Sequence, residues 1–64
     1  MKLRFFITEY QDGTLEIETK HMHYAFRDDL NFDCFPPEEL AENMRKIVDQ
    51  CQKENLFPYF EYVS

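Results

Sequence analysis

Two stretches near the start of the chain carry apolar side chains at alternate positions. These stretches are residues 2–10 and 14–20. Their regularly spaced apolar residues are Leu3, Phe5, Ile7, Leu15 and Ile17. Alternation with a period of two is typical of a strand that buries one of its faces. The pattern therefore predicts two strands that turn one apolar face toward a common core.

The segment between these strands, residues 11–13, contains Gly13, the only glycine of the chain. A two-residue loop would pair Ile7 with Glu18 and mix apolar and acidic side chains on one face. A three-residue loop pairs Ile7 with Ile17 and keeps that face apolar, which matters because a one-residue slip turns every side chain over. We therefore predict a three-residue loop with Gly13 in the left-handed conformation. The same register pairs Phe5 with Thr19, Phe6 with Glu18 and Thr8 with Glu16.

The middle of the chain carries weaker signals. Residues 21–27 contain no Gly, Pro, Asn or Asp, so the second strand can run on to about Phe26 through a bulge. A separate third strand over the same residues is the alternative. Residues 28–36 are expected to form a connecting loop whose apolar side chains tuck beneath the following helix. These side chains are Leu30, Phe32 and Phe35.

A helix and a last strand follow. Residues 37–54 predict the helix, because Pro37 suits its first position, Asn55 suits its end, and apolar residues recur at helical spacing. These residues are Leu40, Met44, Ile47, Val48 and Cys51. Residues 56–63 predict a strand, which Pro58 places at an edge of the sheet. If Phe60 and Tyr62 point inward, then Phe57, Tyr59, Glu61 and Val63 point outward.

These elements predict an α+β fold in a single domain over residues 1–64. We expect a small antiparallel sheet of three to four strands, formed by a β-hairpin, a helix and a strand, with the amphipathic helix packed on one face. The simplest closure sets the last strand antiparallel to the first strand, which becomes central. This order of elements is similar to that of toxin-silencing antitoxins of the HicB type, and the resemblance implies a small antitoxin-like binder.

Length and charge limit the function of this small acidic protein. The 64 residues carry a formal net charge of -6, and residues 28–64 hold nine acids and three bases. Cations are not clustered, so we predict no direct nucleic-acid binding. The only serine is Ser64, there is no glycine-rich loop, and a chain this short can hardly hold both a core and a substrate pocket. We therefore predict that the protein is not an enzyme and uses no cofactor.

The sequence also predicts where the protein resides. No apolar run approaches the roughly 18 residues that span a membrane. Residues 1–4 lead into a strand pattern rather than a signal peptide. Cys34 and Cys51 are expected to be free thiols, and Cys51 lies on the apolar side of the predicted helix. We expect a cytoplasmic protein without membrane contact.

The face of the sheet opposite the helix is the main candidate site. One helix covers one face, and eleven aromatic residues are many for one thin core. Contiguous exposed aromatic side chains often mark an interface, although they can also shield one another across strands. We predict a non-enzymatic interaction or regulatory module, either homodimeric through this face or an edge strand, or bound to a protein partner. The predicted contact residues are Phe6, Tyr10, Tyr59 and Val63, rimmed by Arg4, Glu18 and Lys20.

An acidic window is the second candidate site. Residues 28–42 contain six acids and no base. A dense carboxylate surface can imitate a phosphate backbone and occupy a basic site on another protein. The plainer interpretation is a solvated loop that leads into a helix, whose start favours acids. The alternative function is thus a nucleic-acid-mimicking inhibitor or antitoxin-like protein of phage or mobile-element type. Its contact residues would be Asp28, Asp29, Asp33, Glu38, Glu39 and Glu42.

A metal-binding protein is the third hypothesis. In a strand, His21 and His23 would share one face within chelating reach, and Cys34 or Cys51 could complete a zinc set. The spacing of the cysteines matches no common zinc pattern, and two surface histidines are the plainer interpretation. We therefore predict no metal site and keep His21 and His23 as the candidates against that prediction.

Overall fold

The computed structural model describes residues 2–19 and 31–63. Within these residues, four strands and one α-helix give an α+β fold, as predicted from the sequence. In chain order they are β1 (Lys2–Glu9), β2 (Leu15–Thr19), β3 (Phe32–Phe35), α1 (Leu40–Lys53) and β4 (Phe57–Val63). A short 3-10 helix, Pro37–Glu39, comes directly before α1. No helix among the described residues combines the length and the apolar character needed to cross a membrane.

The hairpin of β1 and β2 has the predicted register. Ile7 lies opposite Ile17, and their shared face is buried along both strands. The other predicted pairs also form, namely Phe5 with Thr19, Phe6 with Glu18, and Thr8 with Glu16. Keeping one face apolar was therefore sufficient to select the register.

The loop of the hairpin has three residues, as predicted. The N–H of Tyr10 donates to the carbonyl oxygen of Thr14, and the N–H of Gly13 donates to that of Tyr10, both at 2.9 Å. Gly13 has φ +91°, which L side chains rarely adopt. Asp12 adds support, because its Oδ1 accepts hydrogen bonds from the backbone N–H and the hydroxyl of Thr14. These bonds hold the pKa of Asp12 below its usual value.

The sheet is mixed, and the predicted direction of the last strand was wrong. The strand order is β3-β2-β1-β4, in which β4 runs parallel to β1 while the other neighbours are antiparallel. The cause is β3, which the sequence pattern assigned to a loop. An additional strand reverses the chain once more, so α1 returns it to the opposite end of the sheet. β1 lies between β2 and β4, inside the sheet as predicted.

A bulge in β3 explains why the sequence pattern missed this strand. Leu15 lies opposite Phe35 and Ile17 opposite Phe32, so two steps along β2 match three steps along β3. Cys34, inside the bulge, has φ +49°. The additional residue turns Phe32 and Phe35 toward the same core, whereas a regular strand would place them on opposite faces. The predicted strand over residues 21–27 and Leu30 lie outside the described residues.

The end of α1 is built as predicted, although its first turn is a separate 3-10 helix. Asn55 has φ +57°. Its N–H donates to the carbonyl oxygen of Gln52, and the N–H of Leu56 donates to that of Cys51, at 3.2 and 2.9 Å. This pair of bonds is the Schellman arrangement, which satisfies carbonyls at a helix end. The turn sends the chain into β4.

One hydrophobic cluster holds the buried apolar side chains of the described strands and helix. It consists of Leu3, Phe5, Ile7, Leu15, Ile17, Phe35, Ile47 and Cys51. Five half-buried apolar residues pack against it, namely Phe32, Leu40, Met44, Leu56 and Phe60. Both cysteines are free thiols, as expected, with Cys34 exposed and Cys51 buried. Burial raises the pKa of the Cys51 thiol, which acts here as a small apolar side chain.

Candidate protein-interaction surface

The outer face of the sheet, opposite the core cluster, carries aromatic and charged side chains side by side. Leu3, Phe5 and Ile7 of β1 are buried, and Arg4, Phe6 and Thr8 follow them on the opposite face of the strand. Residues that are paired across neighbouring strands share a face. The register therefore adds Glu16 and Glu18 from β2, and Phe57, Tyr59, Glu61 and Val63 from β4.

Pairing between β1 and β4 brings four predicted contact residues together. Tyr59 lies opposite Arg4, and Val63 lies opposite Thr8. Phe6 lies between Arg4 and Thr8 on the same face of β1. A hollow of about 240 Å³ at Lys2, Arg4 and Tyr59 opens at one end of this group. β4 thus contributes Tyr59 and Val63 to this group, with Glu61 between them, and both side chains are exposed.

Carboxylates divide the aromatic side chains of the outer face. Phe6 lies between Glu18 on β2 and Glu61 on β4. The Nε of Arg4 is 3.8 Å from Oε1 of Glu61, and both side chains are well exposed, so this ion pair adds little stability. The centre of the outer face is therefore an aromatic ring between two carboxylates and not a continuous apolar patch.

Tyr10 lies at the other end of the outer face. It follows β1 and comes six residues after Arg4, about 20 Å along the strand direction. Its hydroxyl donates to Oε1 of Glu16 at 2.7 Å, and this bond, with a smaller contribution from desolvation and nearby carboxylates, raises the pKa of Tyr10 to about 12. The structure does not bring Tyr10 together with Tyr59, although the sequence analysis assigned both to one surface.

β4 carries most of the large exposed apolar side chains among the described residues. The exposed fractions are 72% for Phe57, 67% for Tyr62, 54% for Tyr59 and 48% for Val63. Tyr62 is paired with Ile7 and so lies on the core side, where the sequence pattern placed it, yet its side chain is exposed. β4 is an edge strand, and no described strand pairs with its free side. It therefore presents apolar side chains on both faces and backbone groups between them.

A groove of about 630 Å³ opens between the second half of α1 and the start of β4. Its lining residues are Val48, Gln52, Asn55, Leu56, Phe57 and Pro58. No sequence pattern predicts this groove, because it forms where a helix, its terminal turn and a strand meet. A periodic pattern within one segment carries no signal for such a junction.

The other predicted site residues are placed only in part. In the acidic window, Asp33, Glu38, Glu39 and Glu42 are all exposed. Asp28, Asp29, Lys20, His21 and His23 lie outside the described residues. Within residues 2–19 and 31–63, no group of three or more His, Cys, Asp or Glu side chains is arranged to hold a metal ion. The acidic inhibitor and the histidine site therefore stay predictions.

Comparisons with known proteins add no relative. No protein-family model matches the chain, and neither the curated proteins nor the solved structures contain a match. Function is therefore inferred from the side chains and strand edges of this chain.

Proposed function

We propose that this chain is a non-enzymatic protein-interaction module that forms a homodimer through β4. Ile47 and Cys51 of α1 lie in the core cluster on one side of the sheet, and no described strand pairs with the free edge of β4. The observation that carries the proposal is the concentration of exposed apolar side chains in one edge strand. Four of the five large exposed apolar residues among the described ones belong to β4.

The physics of sheet edges supports this proposal. A free edge presents N–H and carbonyl groups that pair readily with another strand. Soluble proteins usually block such edges with charges, proline, bulges or very short strands. β4 has seven residues with one charged residue, Glu61, one proline, Pro58, and apolar side chains on both faces. A second strand laid along β4 would satisfy the backbone groups and remove apolar surface from water in one step.

Small size gives self-association a further advantage. A chain of this length buries only about 60% of the surface that its unfolded form exposes, so its folding free energy is small. Association stabilises the folded form in proportion to the logarithm of protein concentration over the dissociation constant. A homodimer would therefore add buried apolar contacts to a core that holds eight buried apolar side chains among the described residues of one copy.

Sedimentation equilibrium tests the proposal directly. We expect the parent chain to have the mass of a dimer at tens of micromolar, and a Phe57→Ser/Tyr59→Ser variant to have the mass of a monomer. The matched control is Tyr10→Ser, because Tyr10 is also an exposed outer-face aromatic residue but lies away from β4. It should remain dimeric. A parent chain that is monomeric over the whole concentration range would contradict the proposed function.

A further inference from the structure

We infer that β4 of one copy pairs antiparallel with β4 of a second copy about Phe60, and that Tyr62 of each copy enters the groove of the other. This inference rests on the proposed function, because it requires two copies to meet at β4. It adds the register of the pair and the occupant of the groove at Val48, Leu56 and Pro58.

Symmetry restricts how two identical edges can meet. A twofold axis that joins two copies of β4 into one continuous sheet makes the two strands antiparallel. Residues that lie opposite each other share a face, so a core-side residue must meet a core-side residue of the second copy. The axis must therefore pass midway between the two copies of one residue of β4, so that this residue lies opposite itself.

The length of β4 and its single charge select that residue. Centring the pair on Glu61 would set two carboxylates opposite each other, which is unfavourable. Centring it on Tyr59 would leave Tyr62 and Val63 without partners in the strand. Only Phe60, the middle residue of the seven, uses the full length of β4. The resulting pairs are Phe57 with Val63, Pro58 with Tyr62, Tyr59 with Glu61, and Phe60 with itself.

The backbone groups that face the free edge of β4 follow from β1. The N–H of Tyr10 donates to the carbonyl oxygen of Thr14, and the carbonyl oxygen of Arg4 accepts from the hydroxyl of Thr19. The backbone groups of even-numbered residues of β1 therefore face β2. Odd-numbered residues of β1 therefore face β4. In a parallel pair, a residue bonds to the two neighbours of the residue opposite it, and Phe5 lies opposite Phe60. Even-numbered residues of β4 therefore face the free edge.

These even-numbered residues fit a pair centred on Phe60. Pro58 has no N–H, and an edge strand tolerates proline where the missing group faces away from its neighbour. The outward N–H groups of β4 are then those of Phe60 and Tyr62. In the proposed register, the N–H of each Phe60 donates to the carbonyl oxygen of Phe60 in the other copy. The N–H of Tyr62 donates to the carbonyl oxygen of Pro58 in the other copy. Every N–H on the free edge of the strand thus finds an acceptor.

The groove and Tyr62 are complementary in this register. Tyr62 is exposed on the core side of β4, and Pro58, its predicted partner, forms part of the groove wall on the same side. The ring of Tyr62 would lie against Val48 and Leu56 of the second copy. Because a symmetric dimer makes this contact twice, both Tyr62 rings and both apolar grooves are removed from water together.

Charge also favours a second copy at this edge over the opposite edge. Each copy has a net charge of -6, so the copies repel each other in general. At β4 the acid Glu61 is accompanied by the bases Lys2 and Arg4 on the neighbouring strand. Residues 31–42, which include β3, contain four acids and no base. Two copies therefore meet with least repulsion at β4.

Disulfide trapping measures the register. All chains carry Cys34→Asn, because asparagine tolerates the positive φ of that exposed position, and they keep the buried Cys51. A Tyr59→Cys chain and a Glu61→Cys chain are incubated separately and as a mixture in a glutathione buffer. In the proposed pair, position 59 of one copy lies opposite position 61 of the other, with Cα atoms about 4.5 Å apart, within reach of a disulfide. Position 59 lies diagonally from position 59 of the other copy, at roughly 7–8 Å, and the same holds for position 61.

We expect the mixture to form at least ten times more disulfide dimer than either chain alone. Preferential cross-linking of the Tyr59→Cys chain with itself, or of the Glu61→Cys chain with itself, would overturn the Phe60-centred register. Equal yields in all three samples would overturn it as well. If the dimer persists in sedimentation, the proposed function survives that result, whereas a monomeric parent chain overturns both.

Three further variants test the occupant of the groove. Tyr62→Ala should raise the dimer dissociation constant at least tenfold, whereas Tyr62→Phe should change it less than threefold because the ring is retained. Val48→Glu, which places a charge in the groove, should act like Tyr62→Ala. An unchanged dissociation constant in Tyr62→Ala, with the dimer intact, would overturn the assignment of Tyr62 to the groove.

Discussion

The two edges of the sheet differ in length, regularity and charge. β3 has four residues, contains a bulge at Cys34 and exposes Asp33. β4 has seven residues that pair one to one with β1, and it exposes Phe57 and Tyr62. Shortness, bulges, charge and proline are features by which soluble sheets prevent pairing at an edge. β3 combines the first three, whereas β4 is opposed only by one charge, Glu61, and by Pro58, which removes a single N–H from the free edge.

The largest expected effects come from removing one phenylalanine from each edge strand. Phe60 and Phe32 are both half-buried and pack against the core, and the Phe60 ring centroid is 5.6 Å from that of Phe5. Each Phe→Ala change should lower the free energy of unfolding by about 2–3 kcal/mol, below the full cost in a closed core. Urea titrations at several protein concentrations measure this loss.

The same two variants should differ in how strongly they form the dimer. Phe60→Ala should also weaken the dimer in sedimentation, because Phe60 lies at the centre of the proposed contact. Phe32→Ala should lower stability and leave the dissociation constant unchanged. A Phe32→Ala variant that becomes monomeric while still folded would contradict the contrast between the edges.

Charge at each edge gives the next effect. Tyr59→Asp should raise the dimer dissociation constant at least tenfold, because the new carboxylate would face Glu61 of the second copy and the aromatic contact would be lost. Added salt should restore part of the affinity by screening the repulsion. Cys34→Asp is the matched control on β3, where the positive φ accepts aspartate. Weakening of the dimer by the control would indicate that β3 also takes part.

The bulge of β3 gives an effect on stability alone. Cys34 has φ +49°, which a β-branched side chain tolerates poorly and glycine adopts freely. We expect Cys34→Val to be less stable than Cys34→Gly by about 1–2 kcal/mol in urea unfolding. Equal stability of the two variants would mean that this position does not need its left-handed backbone.

Tyr10 provides the smallest effect and tests the end of the outer face away from the dimer contact. Ultraviolet titration should find one tyrosine with a pKa of about 12, and Glu16→Gln should return it toward the ordinary value of 10.0. A raised pKa in the folded state means that this contribution to stability is complete below pH 10 and is lost as the pH rises through about 12. An unchanged titration in Glu16→Gln would contradict the hydrogen bond.

Local patterns predicted the hairpin and the helix end because each depends on few neighbours. The pairing of Ile7 with Ile17 follows from keeping one face apolar, and Gly13 and Asn55 occupy positions where positive φ is required. The direction of β4 could not be predicted in this way. It depends on the number of chain reversals before α1, and the bulge that brings Phe32 and Phe35 to one side conceals β3 from a search for alternation.

The sequence predicts which face of β4 each side chain of the candidate site occupies. It does not predict how far the exposed surface extends. Alternation in β4 placed Tyr59 and Val63 on the outer face and Tyr62 on the core side. It could not reveal that Tyr62 would be exposed, because exposure depends on how far neighbouring elements reach over the strand. The groove near Pro58 and the separation of Tyr10 from Tyr59 likewise arise from tertiary structure and not from any single segment.

Backbone hydrogen exchange measured as a function of protein concentration tests the central claim most directly. The amide protons of Phe60 and Tyr62 face the free edge of β4 and become hydrogen-bonded only when a second strand lies against it. We predict slow exchange at these two amides in concentrated protein, and faster exchange on dilution, with no such change in β3. Exchange at Phe60 and Tyr62 that is rapid and independent of concentration would contradict association through β4.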